Sequence, residues 1–513
     1  MSKTKSLKKG FLAELNAIVG EGGFSISEID RVNYCRDSNF RSAIQALHNQ
    51  NEHLPGVVVW PSTTEQISQL IRSAKKHQVA ITPFSGGSGV CGGAISYSGG
   101  MTLDLKNLNR VLRLDSERLF IDVQTGISGL QLEKQLQRQG YTLGHFPSSI
   151  LSACLGGYLA ARSAGQLSSK YGKIEDMVID LEFIDGLGRL HQTADAKLSR
   201  YLDLTQAIIG SEGTLGIITK ARLKIFPYPQ DRSYTSFTFK NLSYGLEAMR
   251  RIMQTGIKPD VLRLYDEIDT IMVFNGMNKH QHKTSLTHSM PNALKEGIDL
   301  IKASVTRGTL RARKLVDRLS RFSWLGSLLV VMLEGDSEVI KTQQRLITKI
   351  CEDLGGSHMG EDPAIHWHKH RYSVSYKASK LFLEGAFTDT MEVATTWDNL
   401  ENLYQTVHDA LLPHCLVLAH ISHVYEDGAA IYFTMVAPLK GPTRSLKQYD
   451  KIWDVGLNAV QKAGGVLSHH HGIGRLKKNH LVKEWGEAKA IYNHLKKNLD
   501  PDHILNPGVL IPS

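Results

Sequence analysis

No stretch of this sequence stays apolar for long. The longest, Trp324 to Leu333, holds ten residues, where a helix crossing a bilayer needs about 20. A membrane-spanning helix is therefore not expected. Cysteine is scarce: Cys35, Cys91, Cys154, Cys351 and Cys415 are five in number, scattered, and in no C-x-x-C spacing. That pattern fits a reducing compartment and argues against structural zinc. Proline is sparse, at 15 of 513 residues, beside 45 glycines and 42% hydrophobic residues. Such a balance excludes a disordered chain, a collagen-like repeat and a small disulfide scaffold. The basic start, MSKTKSLKKG, runs into FLAELNAIVGEGG, which carries acids and has no small-residue cleavage site. The end, IPS, is not a peroxisomal tripeptide. The cytosol is the expected compartment.

Positive charge is unevenly placed. Lys and Arg number 60 against 50 Asp and Glu, and ten basic and three acidic residues fall between Gly276 and Phe322. Leu294, Ile298, Ile301, Val305, Leu315, Leu319 and Phe322 in that stretch have helical spacing. A basic amphipathic helix over 290–325 can lie on an anionic membrane surface, or it can be a solvated helix over a core. Nucleic-acid binding is not expected, because the chain has no zinc-finger spacing, RNA-binding aromatic motif or recognition helix.

Along the chain, 1–54 reads as a helical lead-in. Residues 55–228 read as an α+β unit. GVVVWP is a buried strand, Ser62 and Glu65 form a capping-box pair, and Ile67, Leu70, Ile71 and Ala74 mark a helical face. Strands are expected at Val79–Ile81, Met101–Leu105 and Leu119–Val123, with a helix near Gly129–Gln139. Residues 229–448 mix strands and helices as a second domain, and 449–513 are a helical segment carrying a histidine-rich loop.

Three segments stand out. PFSGGSGVCGGA contains G-x-G-x-x-G at Gly87, Gly89 and Gly92, but no helix-forming sequence follows to meet a pyrophosphate, so a Rossmann fingerprint is rejected. A backbone nest for an anion, or an ordinary glycine-rich turn, remains. PSSILSACLGGYLAARSAG is rich in small residues that let a flat ring or a backbone approach, and SEGTLGIIT reads as a turn entering a strand. Later comes GGVLSHHHGIGRLKK, where imidazoles able to carry a proton near neutral pH are flanked by glycines. A solvent loop is the commoner home of such a cluster, and neighbouring histidines cannot easily share one ion; no metal site is expected.

The ordered set PFSGGSG, PSSILSA with AARS, and EGTLGII resembles the flavin-binding domain of the vanillyl-alcohol-oxidase (PCMH-type) flavoprotein superfamily. The resemblance implies an α+β PCMH-type FAD-binding domain of two subdomains. It also implies a cap domain with an antiparallel sheet flanked by helices, and a C-terminal helical segment. It assigns FAD contacts to Pro83, Phe84, Ser85, Gly86, Gly87, Ser88 and Gly89; to Pro147, Ser148, Ser149, Ile150, Leu151, Ser152 and Ala153; to Ala160, Ala161, Arg162 and Ser163; and to Glu212, Gly213, Thr214, Leu215, Gly216, Ile217 and Ile218. Members that tether FAD covalently often use a His in the first loop, which is absent here, so noncovalent FAD is expected.

The C-terminal half narrows the branch. Flavin dehydrogenases of D-2-hydroxy acids carry H-x-G-D-G-N-x-H and Glu-His-Gly as metal ligands. Here His420 and His423 stand without the second histidine at its spacing, and no Glu precedes His471-Gly472. The triple histidine, GAAIYF, RLYD at Arg263–Asp266, LEGD at Leu333–Asp336 and GED at Gly360–Asp362 resemble the alkyldihydroxyacetonephosphate synthase family instead. That resemblance implies Tyr432 as acid/base, His469, His470 and His471 as a catalytic loop, and Arg263 as an active-site cation. The family's phosphate-binding Arg has no counterpart in HRYSVSYKAS, which leaves Arg371 or Lys377 for that role. The implied substrates are acyl-dihydroxyacetone phosphate and a fatty alcohol, exchanged without net redox change. A homodimer is left open. An FAD-linked oxidase or dehydrogenase of a hydroxylated substrate, and a flavin-binding membrane-surface protein without catalysis, are the alternatives.

Overall fold

The computed structural model describes residues 7–47, 53–97, 99–194, 203–280, 313–320, 325–373 and 378–511. The chain divides into two compact units. The first comprises Met1–Gly165, Gly172–Tyr228 and His470–Ser513; the second comprises Gln166–Tyr171 and Pro229–His469.

In the first unit, Val57–Val59 and Ile81–Phe84 both pair parallel to Met101–Asp104, with Phe24–Ser25 antiparallel at the edge of this four-stranded sheet. Val57, Val58 and Val59 are all buried, as expected for a strand covered on both faces. The helix Thr64–His77 lays Ile67, Leu70, Ile71 and Ala74 on that sheet. Its cap is Thr63, not Ser62. The Thr63 hydroxyl accepts from Gln66 N at 3.2 Å, and the Gln66 side chain accepts from Ser62 N at 2.7 Å, so the capping pair lies one residue later than the sequence pattern suggested. Gln78 closes the helix in the left-handed region, which delays the next strand from Val79 to Ile81. The lead-in does not stand apart, because Phe11 and Leu15 are fully buried in the same core. A five-stranded antiparallel sheet follows, in the order Val111–Asp115, Phe120–Gln124, Ile217–Lys224, Val178–Ile184, Leu190–Gln192.

The second unit is built on a seven-stranded antiparallel sheet. Its order is Ser357–His358, Asp231–Phe239, Ser327–Gly335, Val261–Tyr265, Leu416–Val424, Gly428–Pro438, Ala386–Thr396. The apolar run read from the sequence is the strand Ser327–Gly335, buried almost end to end. The helix Pro442–Lys462 belongs to this unit, so the division falls inside the histidine run, between His469 and His470.

All five cysteines are buried thiols, and no disulfide joins them among the described residues. No helix among the described residues is long and apolar enough to cross a membrane. Of the amphipathic positions, Leu315 lies on the helix Arg313–Ser320 and is about half exposed. Leu294 to Val305 and Phe322 lie outside the described residues.

Candidate functional site

The first unit brings the three sequence motifs together. A Cβ on Gly86 would run into the Ser152 carbonyl, and one on Gly213, whose φ is +72°, would run into the Pro83 ring. Glycine is needed at both places for the loops to meet. Glu212 N donates to the Ala160 carbonyl at 3.0 Å, which joins the second motif to the third. The Glu212 carboxylate, raised in pKa chiefly by burial, accepts from Ile473 N at 2.7 Å and Gly474 N at 3.0 Å. It thus anchors the loop that carries His470 and His471, whose rings meet edge to face at 4.6 Å. Asn506 ties Glu212 O at 2.7 Å to Gly93 O at 2.9 Å.

Not every predicted contact residue offers a side chain. Arg162 spends its guanidinium on Gln206 at 2.6 and 2.9 Å, and Ile150, Leu215 and Ile217 are core residues. Ser149 turns the second loop by accepting from Ser152 N and Ala153 N at 2.9 Å. Ile217 and Ile218 begin the strand Ile217–Lys224, and Leu151 is half exposed.

Whether these residues fit a flavin dinucleotide can be tested on polar atoms that the protein buries without serving. Among the described residues, Arg475 Nε, Asp37 Oδ2, Asn506 Oδ1 and both ring nitrogens of His145 lack a hydrogen-bond partner. Arg475 and Asp37 flank the glycine loop: a Cβ on Gly92 would sit 3.9 Å from Arg475 Cβ, and one on Gly89 would sit 3.8 Å from Asp37 Oδ2. His145 lies two residues before Pro147, where the second motif starts, and burial holds its pKa down at about 3. An open glycine backbone beside a guanidinium whose Nε is unserved, its Nη2 already donating to the Pro507 carbonyl at 2.6 Å, suits a pyrophosphate, and an orphaned imidazole suits a polar ring edge. The residues fit. Sequence reading missed His145, Asp37, Arg475 and Asn506, since a lone polar residue carries no spacing signal.

In the second unit, strand register assembles the chemistry. Tyr432 on Gly428–Pro438 lies opposite Glu392 on one neighbouring strand and His420 on the other. His420 in turn lies opposite Tyr265, two residues from Arg263. Directly opposed residues share a face, as do residues two apart, so all five point the same way. The His420 ring stacks on Tyr432 at 4.9 Å and 18°, and Arg263 Nη2 reaches His420 Nε2 at 2.6 Å. Tyr432 donates to Thr390 Oγ1 at 3.0 Å, and burial pushes its pKa up to about 12. Burial, with Arg263 nearby, holds His420 down at about 4.

The same sheet secures His469. Glu392, fully buried, accepts from the Ser468 hydroxyl at 2.6 Å and from His469 N. Tyr425 OH meets His469 Nε2 at 3.0 Å, and His423 meets Ser168 Oγ at 2.8 Å. His423 has φ +55° at a bulge between Ser422 and Val424, which turns its ring to stack with His469 at 5.4 Å. Arg371 closes the helix Asp362–His370, donates to the His368 carbonyl and lies over the Tyr372 ring at 4.4 Å. Lys377 lies outside the described residues.

Residues 55–194 match the FAD binding domain family, and residues 228–510 match the C-terminal domain of FAD linked oxidases. The chain belongs to the FAD-linked oxidase family. FAD is the cofactor of this flavoprotein, on the PCMH-type α+β fold that the sequence implied. The chain is 28% identical to the alkyldihydroxyacetonephosphate synthase of Dictyostelium discoideum, over 98% of its own length and 81% of the relative's. A solved alkyldihydroxyacetonephosphate synthase superposes with a TM-score of 0.76 at 25% identity, covering 98% of this chain and 85% of that one. The mitochondrial D-lactate dehydrogenase [cytochrome] of Arabidopsis thaliana is 26% identical over 92% of this chain and 76% of that protein.

Proposed function

We propose that this flavoprotein exchanges the ester-linked fatty acid of acyl-dihydroxyacetone phosphate for a fatty alcohol. Fatty acid leaves, the alkyl ether of dihydroxyacetone phosphate forms, and no net redox change occurs. The observation that carries this reading is the row Arg263, His420, Tyr432 and Glu392 on one sheet face, which sets a cation and a proton-carrying hydroxyl on either side of His420. The likeness to the Dictyostelium synthase supports it.

The carbon that exchanges its substituent lies next to a ketone, so its proton is acidified and a positioned base can remove it. His469, held at its backbone by Glu392 and at its ring by Tyr425, is placed to accept that proton. Tyr432, kept protonated at neutral pH, can turn the hydroxyl that it gives to Thr390 toward the departing carboxylate, which leaves as an anion stabilised by that hydrogen bond. Bound FAD would supply a nucleophilic ring nitrogen, which makes one substitution into two easier ones. Pro83–Gly89, Pro147–Ala153, Ala160–Ser163 and Glu212–Ile218 would hold it. Arg263, with Arg371 or Lys377, would bind the phosphate, through charge-assisted hydrogen bonds. His470 and His471 complete the catalytic loop. On this reading 55–228 serve the cofactor and 229–448 the substrate. The enzyme is cytoplasmic, meets lipid through the basic 290–325 stretch, and works alone or as a homodimer.

The alternative, an FAD-linked oxidase or dehydrogenase of a D-2-hydroxy acid, is favoured by the Arabidopsis relative. Incubation with acyl-dihydroxyacetone phosphate and a chain-labelled fatty alcohol decides. Label in an alkali-stable alkyl ketone phosphate, lost in Tyr432→Phe, is the expected result. Absence of labelled ether, with flavin reduced by a hydroxy acid, would replace this reading with the alternative.

A further inference from the structure

We infer that His420 and Asp269 are positioning residues that fix the guanidinium of Arg263 in the orientation needed to receive the substrate. The inference rests on the reading above that Arg263 is the active-site cation. A guanidinium only donates, so the His420 Nε2 facing Arg263 Nη2 at 2.6 Å must present a lone pair. A neutral imidazole then carries its proton on Nδ1, and that nitrogen faces Asp269 Oδ2 at 3.2 Å. The neighbours therefore select the Nδ1–H tautomer, the minority form of a free histidine side chain. A protonated ring would set two donors against each other.

Each part of the relay is itself held. Asp269 sits in the first turn of the helix Glu267–His280, where a carboxylate is favoured, and its N donates to Asp266 Oδ1 at 2.8 Å. His420 is 7% exposed, its face covered by the Tyr432 ring. Arg263 lies over the Tyr265 ring at 5.1 Å. Its Nε is buried and has no partner among the described residues. One nitrogen is thus fixed by His420, while another remains to be satisfied by a ligand oxygen. Among the described residues, the charged and titratable groups in contact with His420 are Arg263 and Tyr265 on one neighbouring strand, Tyr432 on the other, and Asp269 on the helix, with Asp266 behind, accepting from Ala419 N and Asp269 N.

The test uses the full-length FAD-loaded protein, labelled with 15N at histidine. The His420 resonances are assigned by their loss in His420→Gln. The expected spectrum has a protonated Nδ1 and an unprotonated Nε2, unchanged from pH 8 to pH 5. An Nε2–H tautomer, or titration near the ordinary histidine pKa, overturns the inference without any substrate. In kinetics, His420→Leu should raise KM for the phosphate-bearing substrate about 10-fold, with kcat changed far less. His420→Gln, whose carbonyl can accept from Arg263, should recover most of that loss. Equal defects in Leu and Gln would overturn the positioning role. If the protein proves to act on another substrate, the KM arm fails while the tautomer stands, so the two failures can be told apart.

Discussion

Replacing Glu212 with Ala should loosen the histidine loop and the cofactor cradle together. The carboxylate accepts from two backbone N–H groups, Ile473 at 2.7 Å and Gly474 at 3.0 Å, and Gly474 also faces its second oxygen at 3.0 Å. Each donor left buried without an acceptor costs about 1–3 kcal/mol. The alanine variant should therefore lose about 4 kcal/mol, on the order of 10 °C in melting temperature for a unit of this size. Glu212→Gln is the control. Both N–H groups reach Oε1, so an amide oxygen there can serve them, and burial already favours the uncharged form of the acid. It should lose only about 1 kcal/mol. The assay is thermal unfolding followed by circular dichroism and by flavin fluorescence, with FAD retention after gel filtration. An alanine variant within about 0.5 kcal/mol of the parent and still yellow would refute the anchoring argument.

Other outcomes follow from the same geometry. Tyr432→Phe removes one hydroxyl, bonded to Thr390 at 3.0 Å. Turnover should fall about 10²–10⁴-fold while stability changes by only about 1 kcal/mol, checked by steady-state assay and unfolding. Tyr425→Phe removes the partner of His469 Nε2 and should lower turnover by about 10-fold with FAD occupancy unchanged. His145 has a folded pKa of about 3, below the unfolded value of about 6.5, so its contribution is complete above pH 6.5 and lost as pH falls toward 3. Between pH 6.5 and 3.5, wild type should lose on the order of 4 kcal/mol more than His145→Leu in parallel denaturant titrations. Denaturing the yellow protein should release all of its flavin into the supernatant, because Pro83–Gly89 offers no histidine for a covalent bond.

The three glycine-rich motifs that meet in the first unit were legible because close backbone approach demands glycine and small residues, and those leave a recognisable run. Gly86 against Ser152 and Gly213 against Pro83 are that demand made concrete. The sheet face that carries Arg263, His420, Tyr432 and Glu392 was legible only in pieces. Tyr432 and Arg263 could be picked out by resemblance, but their neighbours depend on the pairing of strands far apart in the chain. No local pattern says that Glu392 will lie opposite Tyr432, or that His420 will lie between Tyr432 and Arg263. His420 and His423 read as remnants of a metal-binding pattern. In the fold the first braces a guanidinium and the second stacks on His469. The lead-in was undervalued because its helix Lys9–Val19 buries only Phe11 and Leu15 fully, a signal too short to announce a core contact.

The central claim is that this flavoprotein substitutes at carbon without consuming electrons. Anaerobic mixing of the FAD-loaded protein with acyl-dihydroxyacetone phosphate, followed by flavin absorbance and fatty-acid release, tests it most directly. Fatty acid should be set free, and an oxidised flavin spectrum should be restored once fatty alcohol is added and the ether product leaves. Stable two-electron reduction by a D-2-hydroxy acid, with the acyl substrate left intact, would contradict it.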